Sequence, residues 1–516
     1  MNAEKKKRCR KDSFEMKRIA IILLSLLLVC VPVLAACSTD PVQESSAEDQ
    51  SQATSSEESK AEGIAFPLEE KTFGGQTIRV LTRVNESANQ FVPNEEAEGT
   101  AISQAVLDRN QYIEEHFGLT LEIETTGTPA VEIGTYIESN LDDYDIVCDA
   151  LCRMLPSITE NYFYSLNDWL DLKQPWWDQQ ANEYLTLSDK IFFVTGDALY
   201  TDDLHTSAIL FNKAEYNKYF ADQYGSLYDI VDRKEWTYDL MSEMAKAYSQ
   251  PDDTGTWTNL DCLYGIVTDG YTGASQLVTG SGVLTVAKDN NGELTLHVGD
   301  EQSINAFAKV YDILNDTSQA MYVEQLTADT KWNDIASMFT NNKALFRIGY
   351  VINLLSLKNE ENPDKVDPGI IPIPKYDKLQ DEYYDGVNIY QCEVLGIPVS
   401  NVAHREATCY MLEALGYYSS TYGPFKTNSV TYAVYDTTLK LQSVTADEDS
   451  RMMDYILSHR MYDLGAIFNW GGSMTGVYSF CLYAGSNNLV SKWDSMQSQV
   501  KQAMDETVAA YKESIA

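Results

Sequence analysis

The side chains that could do chemistry in this sequence are numerous, but they form no recognised catalytic pattern. His116, His205, His297, His404 and His459 are scattered, with no H-E-x-x-H and no paired spacing that would hold a metal ion. There is no G-x-S-x-G, no P-loop and no G-x-G-x-x-G after a strand, so nucleotide chemistry and the common hydrolase elbow have no place here. Carboxylates are plentiful, and a glycosidase needs only two of them at a set separation, so composition alone leaves that reaction open. The pairs Asp142-Asp143 and Asp202-Asp203 are the kind of neighbours such a reaction could use, although adjacent acids in so acidic a chain are usually solvated. Cys148 and Cys152 lie four apart and could share a helix face. With no histidine or second cysteine pair nearby, they read as buried thiols or one local disulfide rather than a zinc site. No metal and no cofactor is expected.

Residues 1–18 carry eight lysines and arginines, and residues 19–31 are almost wholly aliphatic, a charged region followed by an apolar one. The apolar run is shorter than the ~20 residues that span a bilayer, which favours an export signal over a membrane helix. Met16 is an alternative start, since Met16-Lys17-Arg18 alone makes an adequate charged region. Leu34-Ala35-Ala36-Cys37 resembles the lipobox of bacterial lipoproteins. That resemblance implies a diacylglyceryl group on Cys37 and cleavage after residue 36. Residues 38–63 hold seven serines, seven acids, one lysine and no aromatic side chain, a composition that cannot bury enough surface to fold and reads as a tether. Without residues 1–36 the chain keeps 30 basic and 74 acidic side chains, a formal charge of −44. Nucleic acid is excluded as a partner, and a strongly anionic ligand needs a local basic pocket.

The remaining residues are too many for one ordinary core and suggest two lobes. Ile78, Val80 and Leu81 predict a buried strand, and Ile102, Val106, Ile113 and Phe117 share one stripe of a helix that Gly118 stops. Leu119, Leu121 and Ile123 then alternate with polar residues in a second strand, and the segment 144–150, YDIVCDA, supplies a third. Strand, helix, strand at this spacing implies parallel strands and an α/β class. Ligands in such sheets sit at the carboxyl ends of the strands, which points to Arg83, Asn85 and Asp149. Trp493, Met496, Val500, Met504, Val508 and Tyr511 mark a C-terminal helix with a core-facing stripe.

From about Gly75 onward the order of segments resembles the extracellular solute-binding proteins of bacterial ABC importers, family 1. The likeness rests on SAILFNKAEYNKYF (207–220), KEWTYDLMSEMAKAYS (234–249), MFTNNKALFRIGY (338–350), DPGIIPIPKYD (367–377) and EVLGIPVSNVAHREATCYMLEAL (393–415). It implies a two-lobed periplasmic-binding-protein-like fold of type II, with discontinuous lobes at 65–206 with 375–430 and at 207–374 with 431–516. Crossings would lie near Ser207 to Asn212, Gly369 to Pro374 and 425–435. It further implies a monomeric, non-enzymatic receptor at the outer face of the cell membrane that passes its ligand to permease subunits. With 33 tyrosines, 16 phenylalanines and 8 tryptophans, the chain has the rings on which the apolar faces of sugars rest. An oligosaccharide is therefore the expected ligand, with a surface-anchored glycan hydrolase, an adhesin or a peptide-binding protein as alternatives. The resemblance places Asp269, Tyr271 and Tyr350 at the ligand. Trp470, beside two glycines in FNWGGSM, is expected to be presented to the cleft, and Asp203 stands just before the first crossing.

Overall fold

A computed structural model describes residues 64–84, 86–93, 99–357, 366–443 and 447–514. Cys37, the export segment and the tether lie outside the described residues. Residues 62–516 form one compact unit, and it contains two principal sheets. Among the described residues no helix is long and apolar enough to cross a membrane.

The first sheet begins as its residue pattern dictates. Strand β1 (Gln76–Arg83) buries Ile78, Val80 and Leu81. Helix α1 (Ala101–Phe117) follows, its first turn capped by the Thr100 hydroxyl, which accepts from the Ser103 amide. It ends at Gly118 in the left-handed conformation, φ 62°. Strand β2 (Leu119–Thr126) pairs parallel with β1 in the register Gln76 to Leu119, and β3 (Ile146–Ala150) pairs parallel on its other side. The alternation that marked β2 also marks its place. It is an edge strand with only Leu119 fully buried, whereas all five residues of β3 are buried in the interior.

The chain then enters the second sheet, built from β4 (Ser207–Asn212), β5 (Tyr264–Thr268), β6 (Ala320–Tyr322), β7 (Ala344–Tyr350) and β8 (Pro368–Ile371) in the order β8-β4-β7-β5-β6. Strands β5, β6 and β7 run parallel; β4 is antiparallel to both β7 and β8. Finally β9 (Glu393–Gly396) returns to the first sheet, antiparallel to β3. The segments expected to cross at Ser207 to Asn212 and Gly369 to Pro374 thus include β4 and β8, which pair with each other inside the second sheet, Phe211 opposite Gly369. The passages lie just outside them. Thr206 bridges Val387 antiparallel, and the Asn388 amide donates to the His205 carbonyl at 2.8 Å, so the outgoing and returning segments run side by side.

The six described cysteines are free. Trp176 and Trp177 are fully buried, the Trp176 indole donating to Glu413 at 2.9 Å. The C-terminal helix, residues Leu489–Glu513, keeps the stripe Trp493, Met496, Val500, Met504 and Tyr511 against the interior. Thr507 rather than Val508 is buried with them, because it lies three residues after Met504 and four before Tyr511 on the same helix face, and its hydroxyl accepts from the Trp470 indole. Near one end of this helix Trp493 packs against Gly299. Near the other, the Tyr511 ring meets Phe192 at 5.2 Å, and Lys190 donates to the Ser514 carbonyl at 2.7 Å.

Candidate functional site

The carboxyl ends of β5 and β7 open into a cavity of about 690 Å³, within the size range of small-molecule sites. Besides Val323, Glu324 and Asn353, four further pieces of chain wall it. These are the amino end of helix α2 (Gly270–Gly280), the helix Lys331–Thr340, the returning segment at Asn388, Tyr390 and Gln391, and the stretch from Asn469 to Tyr483. Four large rings that stay open to solvent line it: Trp332 at 57%, Phe480 at 47%, Tyr390 at 43% and Tyr483 at 42% exposure. Tyr271 adds a fifth ring, its centroid 5.6 Å from that of Tyr390 with the planes at 68°. A wall of exposed rings loses apolar surface to water only when something flat and partly apolar covers it.

The polar groups of this wall are mostly satisfied by one another. Asp269 caps α2, its carboxylate accepting from the Thr272 amide at 2.8 Å, while the Thr272 and Tyr350 hydroxyls meet at 3.0 Å. Glu324 accepts from the Gly270 amide at 2.9 Å and the Tyr483 hydroxyl at 3.1 Å. Burial lifts the Asp269 carboxyl above its usual range, though the Thr272 donors oppose the shift. Burial likewise raises the phenols of Tyr271 and Tyr350. The two phenols are therefore neutral hydrogen-bonding partners at neutral pH.

Of the residues expected from sequence, Asp269, Tyr271 and Tyr350 come together at this cavity. Trp470 does not line it. Its ring is 4% exposed, stacked on Phe468 at 4.9 Å with the planes 3° apart, and its Nε1 donates to the Thr507 hydroxyl at 2.8 Å. Gly471 and Gly472 do adopt positive φ, 67° and 72°, but the turn they permit sends the indole into the core and leaves Asn469 and Gly472 on the cavity wall. Arg83 and Asp149 stand behind the wall. Arg83 pairs with buried Glu393 at 2.7 Å and Asp149 at 3.4 Å, and its Nη1 donates to the Tyr390 carbonyl at 3.0 Å. They hold the segment that carries Tyr390 and do not line the cavity. Asn85 lies outside the described residues.

Asp203 belongs to a different constellation. Asp178, Asp202 and Asp203 surround the Arg460 guanidinium at 2.8, 3.4 and 2.6 Å. One cation faces three carboxylates out of water, so burial and mutual repulsion raise Asp202 well above its usual range and raise Asp203 as well. A group raised on folding takes up its proton before the unfolded chain does, so its cost to stability is full at high pH and fades as pH falls toward the unfolded value of ~3.9. Asp202→Asn is therefore expected to raise Tm at pH 8. Thermal scans across pH should show that advantage shrinking to nothing by about pH 4, where the native carboxyl is already neutral.

Trp332, Glu324, Arg347, Asn388, Tyr390, Gln391, Phe480 and Tyr483 were not expected at the site. Trp332 shares a helical stripe with Ile335 and Phe339 and so reads as core. Two signals were present. Arg347 is the only charge in the strand ALFRIGY, and Tyr390 is out of phase with its buried neighbours Ile389 and Cys392.

No protein-family model matches the sequence, and no curated protein matches it. Solved structures do. Over 84% of its length the chain is similar to an ABC substrate-binding protein from Listeria monocytogenes in complex with cycloalternan, at 10% identity and TM-score 0.52 with all of that chain covered. The same share is similar to an ABC transporter solute-binding protein from Thermotoga lettingae bound with α-D-tagatose, at 13% identity, TM-score 0.52 and full coverage of that chain. UgpB from Mycobacterium tuberculosis, in complex with glycerophosphocholine, gives 13% identity, TM-score 0.52, 84% of this chain and 100% of that one. At such identities the likeness is one of fold. The chain has the two-lobed α/β fold of ABC transporter solute-binding proteins.

Proposed function

We propose that this chain is a lipid-anchored solute-binding protein that captures an oligosaccharide in the ring-lined cavity and delivers it to an ABC importer at the outer face of the membrane. The observation that carries the ligand class is the set of four exposed rings, Trp332, Tyr390, Phe480 and Tyr483, around one cavity at the strand ends. Sugar rings offer apolar C–H faces to such surfaces, and their hydroxyls find partners in Asn388, Gln391, Asn469 and Tyr271. Two of the similar structures hold a carbohydrate, which agrees with this reading. The anchor is Cys37, at the end of the small-residue run Ala35-Ala36; two acyl chains hold a protein on a bilayer where one chain holds it marginally.

Capture requires no bond to break. Ligand seated on the second-sheet wall gains contacts from Tyr390 and Gln391 on the returning segment, and those added contacts favour the arrangement of lobes that the permease recognises. Calorimetric titration of the full chain in detergent with a panel of oligosaccharides should give saturable binding, and chromatography of the same mixtures should return the glycans intact. Turnover of the glycan would establish a hydrolase instead.

A further inference from the structure

One wall group of the cavity lacks a partner. Arg347 lies on β7, the middle strand of the second sheet, and its half-buried side chain lines the cavity. Its guanidinium makes no hydrogen bond and no ion pair among the described residues; only the field of Asp269 reaches it, from beyond ion-pair distance. Burial without a partner pulls its pKa down, yet a guanidinium stays charged at any physiological pH. Both nearby carboxylates are already engaged by protein donors, Asp269 by the Thr272 amide and Glu324 by the Gly270 amide and the Tyr483 hydroxyl. An isolated planar donor of five N–H groups at a ligand cavity matches one kind of acceptor best, an oxyanion that takes two parallel hydrogen bonds.

We propose that the cavity selects glycans bearing an anionic substituent, a uronic-acid carboxylate or a sulfate or phosphate ester, and that Arg347 holds that group in a bidentate pair while the rings hold the sugar. This rests on the carbohydrate reading above and narrows it. It also reconciles the strongly acidic chain with an anionic ligand, since the acceptor meets a local guanidinium instead of the net charge of −39.

The test is calorimetric titration of the full chain with three acidic probes beside their neutral counterparts: trigalacturonate and its methyl ester, a sulfated carrageenan tetrasaccharide and its desulfated form, and maltotriose 6-phosphate and maltotriose. At least one acidic probe should bind about 10- to 100-fold tighter than its neutral counterpart, the range for a charge-assisted hydrogen bond. Arg347→Gln should remove that preference, weakening the acidic probe about 10- to 100-fold more than its neutral counterpart, and Arg347→Lys should restore part of it. Which probe shows the preference identifies the carboxylate, sulfate or phosphate. Neutral glycans binding as tightly as acidic ones would overturn the proposal and leave the carbohydrate reading standing. Arg347→Gln weakening both members of a pair alike would do the same. Binding of no probe, acidic or neutral, would end both. If Arg347→Gln does not fold, the acidic-to-neutral ratio of the unaltered protein and of Arg347→Lys decides the matter.

Discussion

Replacing Trp332 by alanine is expected to weaken oligosaccharide binding about 10- to 100-fold, the loss typical of a tryptophan at the centre of a binding surface, with little change in Tm. The indole is 57% exposed, so the free protein gives up few contacts when it is removed. Surface substitutions of this kind usually change stability by no more than ~0.5 kcal/mol. On the proposed function the bound protein gives up more, because covering that face with a sugar is where its apolar area leaves water. Calorimetry on the variant and a thermal scan on the same sample separate the two effects. An unchanged affinity would remove Trp332 from the site.

Trp470→Ala is expected to do the reverse. Its ring is enclosed between Phe468 and the C-terminal helix, with its indole nitrogen bonded to Thr507. Truncation leaves a cavity and takes one donor from the Thr507 hydroxyl, which keeps its bond to the Ala503 carbonyl, and large-to-small changes of this kind cost about 3–5 kcal/mol. Any loss of affinity should follow from the loss of folded protein, so binding measured well below the lowered Tm should be close to normal. A selective loss of affinity with Tm intact would return Trp470 to the ligand.

The contrast between the two tryptophans shows where a sequence speaks and where it is silent. The unit β1, α1, β2 and β3 was legible because each element is written in a local period: alternation in Leu119 to Ile123, the stripe Ile102 to Phe117, the stop at Gly118. Asp269, Tyr271 and Tyr350 were placed by family resemblance, and they do line one cavity. The rest of the wall was hidden because it is assembled from segments far apart in the chain, Lys331–Thr340, Asn388 to Gln391 and Asn469 to Tyr483. Periodicity also reports which residues share a face and not what covers that face. Trp332 sits on an apolar stripe and faces water, while Trp470 sits between polar and glycine neighbours and faces the core. The polar residues at strand ends were misleading for a related reason. Arg83 and Asp149 do terminate strands, but each is already neutralised by Glu393, Arg153 or the other, which makes them supports for Tyr390.

The C-terminal helix has 25 residues and is about 37 Å long at 1.5 Å per residue. Trp493 fixes it near Gly299, on the stretch of chain that leads from β5 to β6 of the second sheet, and Tyr511 and Lys190 fix it beside Phe192 and Val194, which joins β9 of the first sheet. A stiff rod pinned at both ends behaves as a brace. It ties the second sheet's surroundings to the first, so mutations at Tyr511 or Lys190 would loosen that tie without touching a residue that lines the cavity.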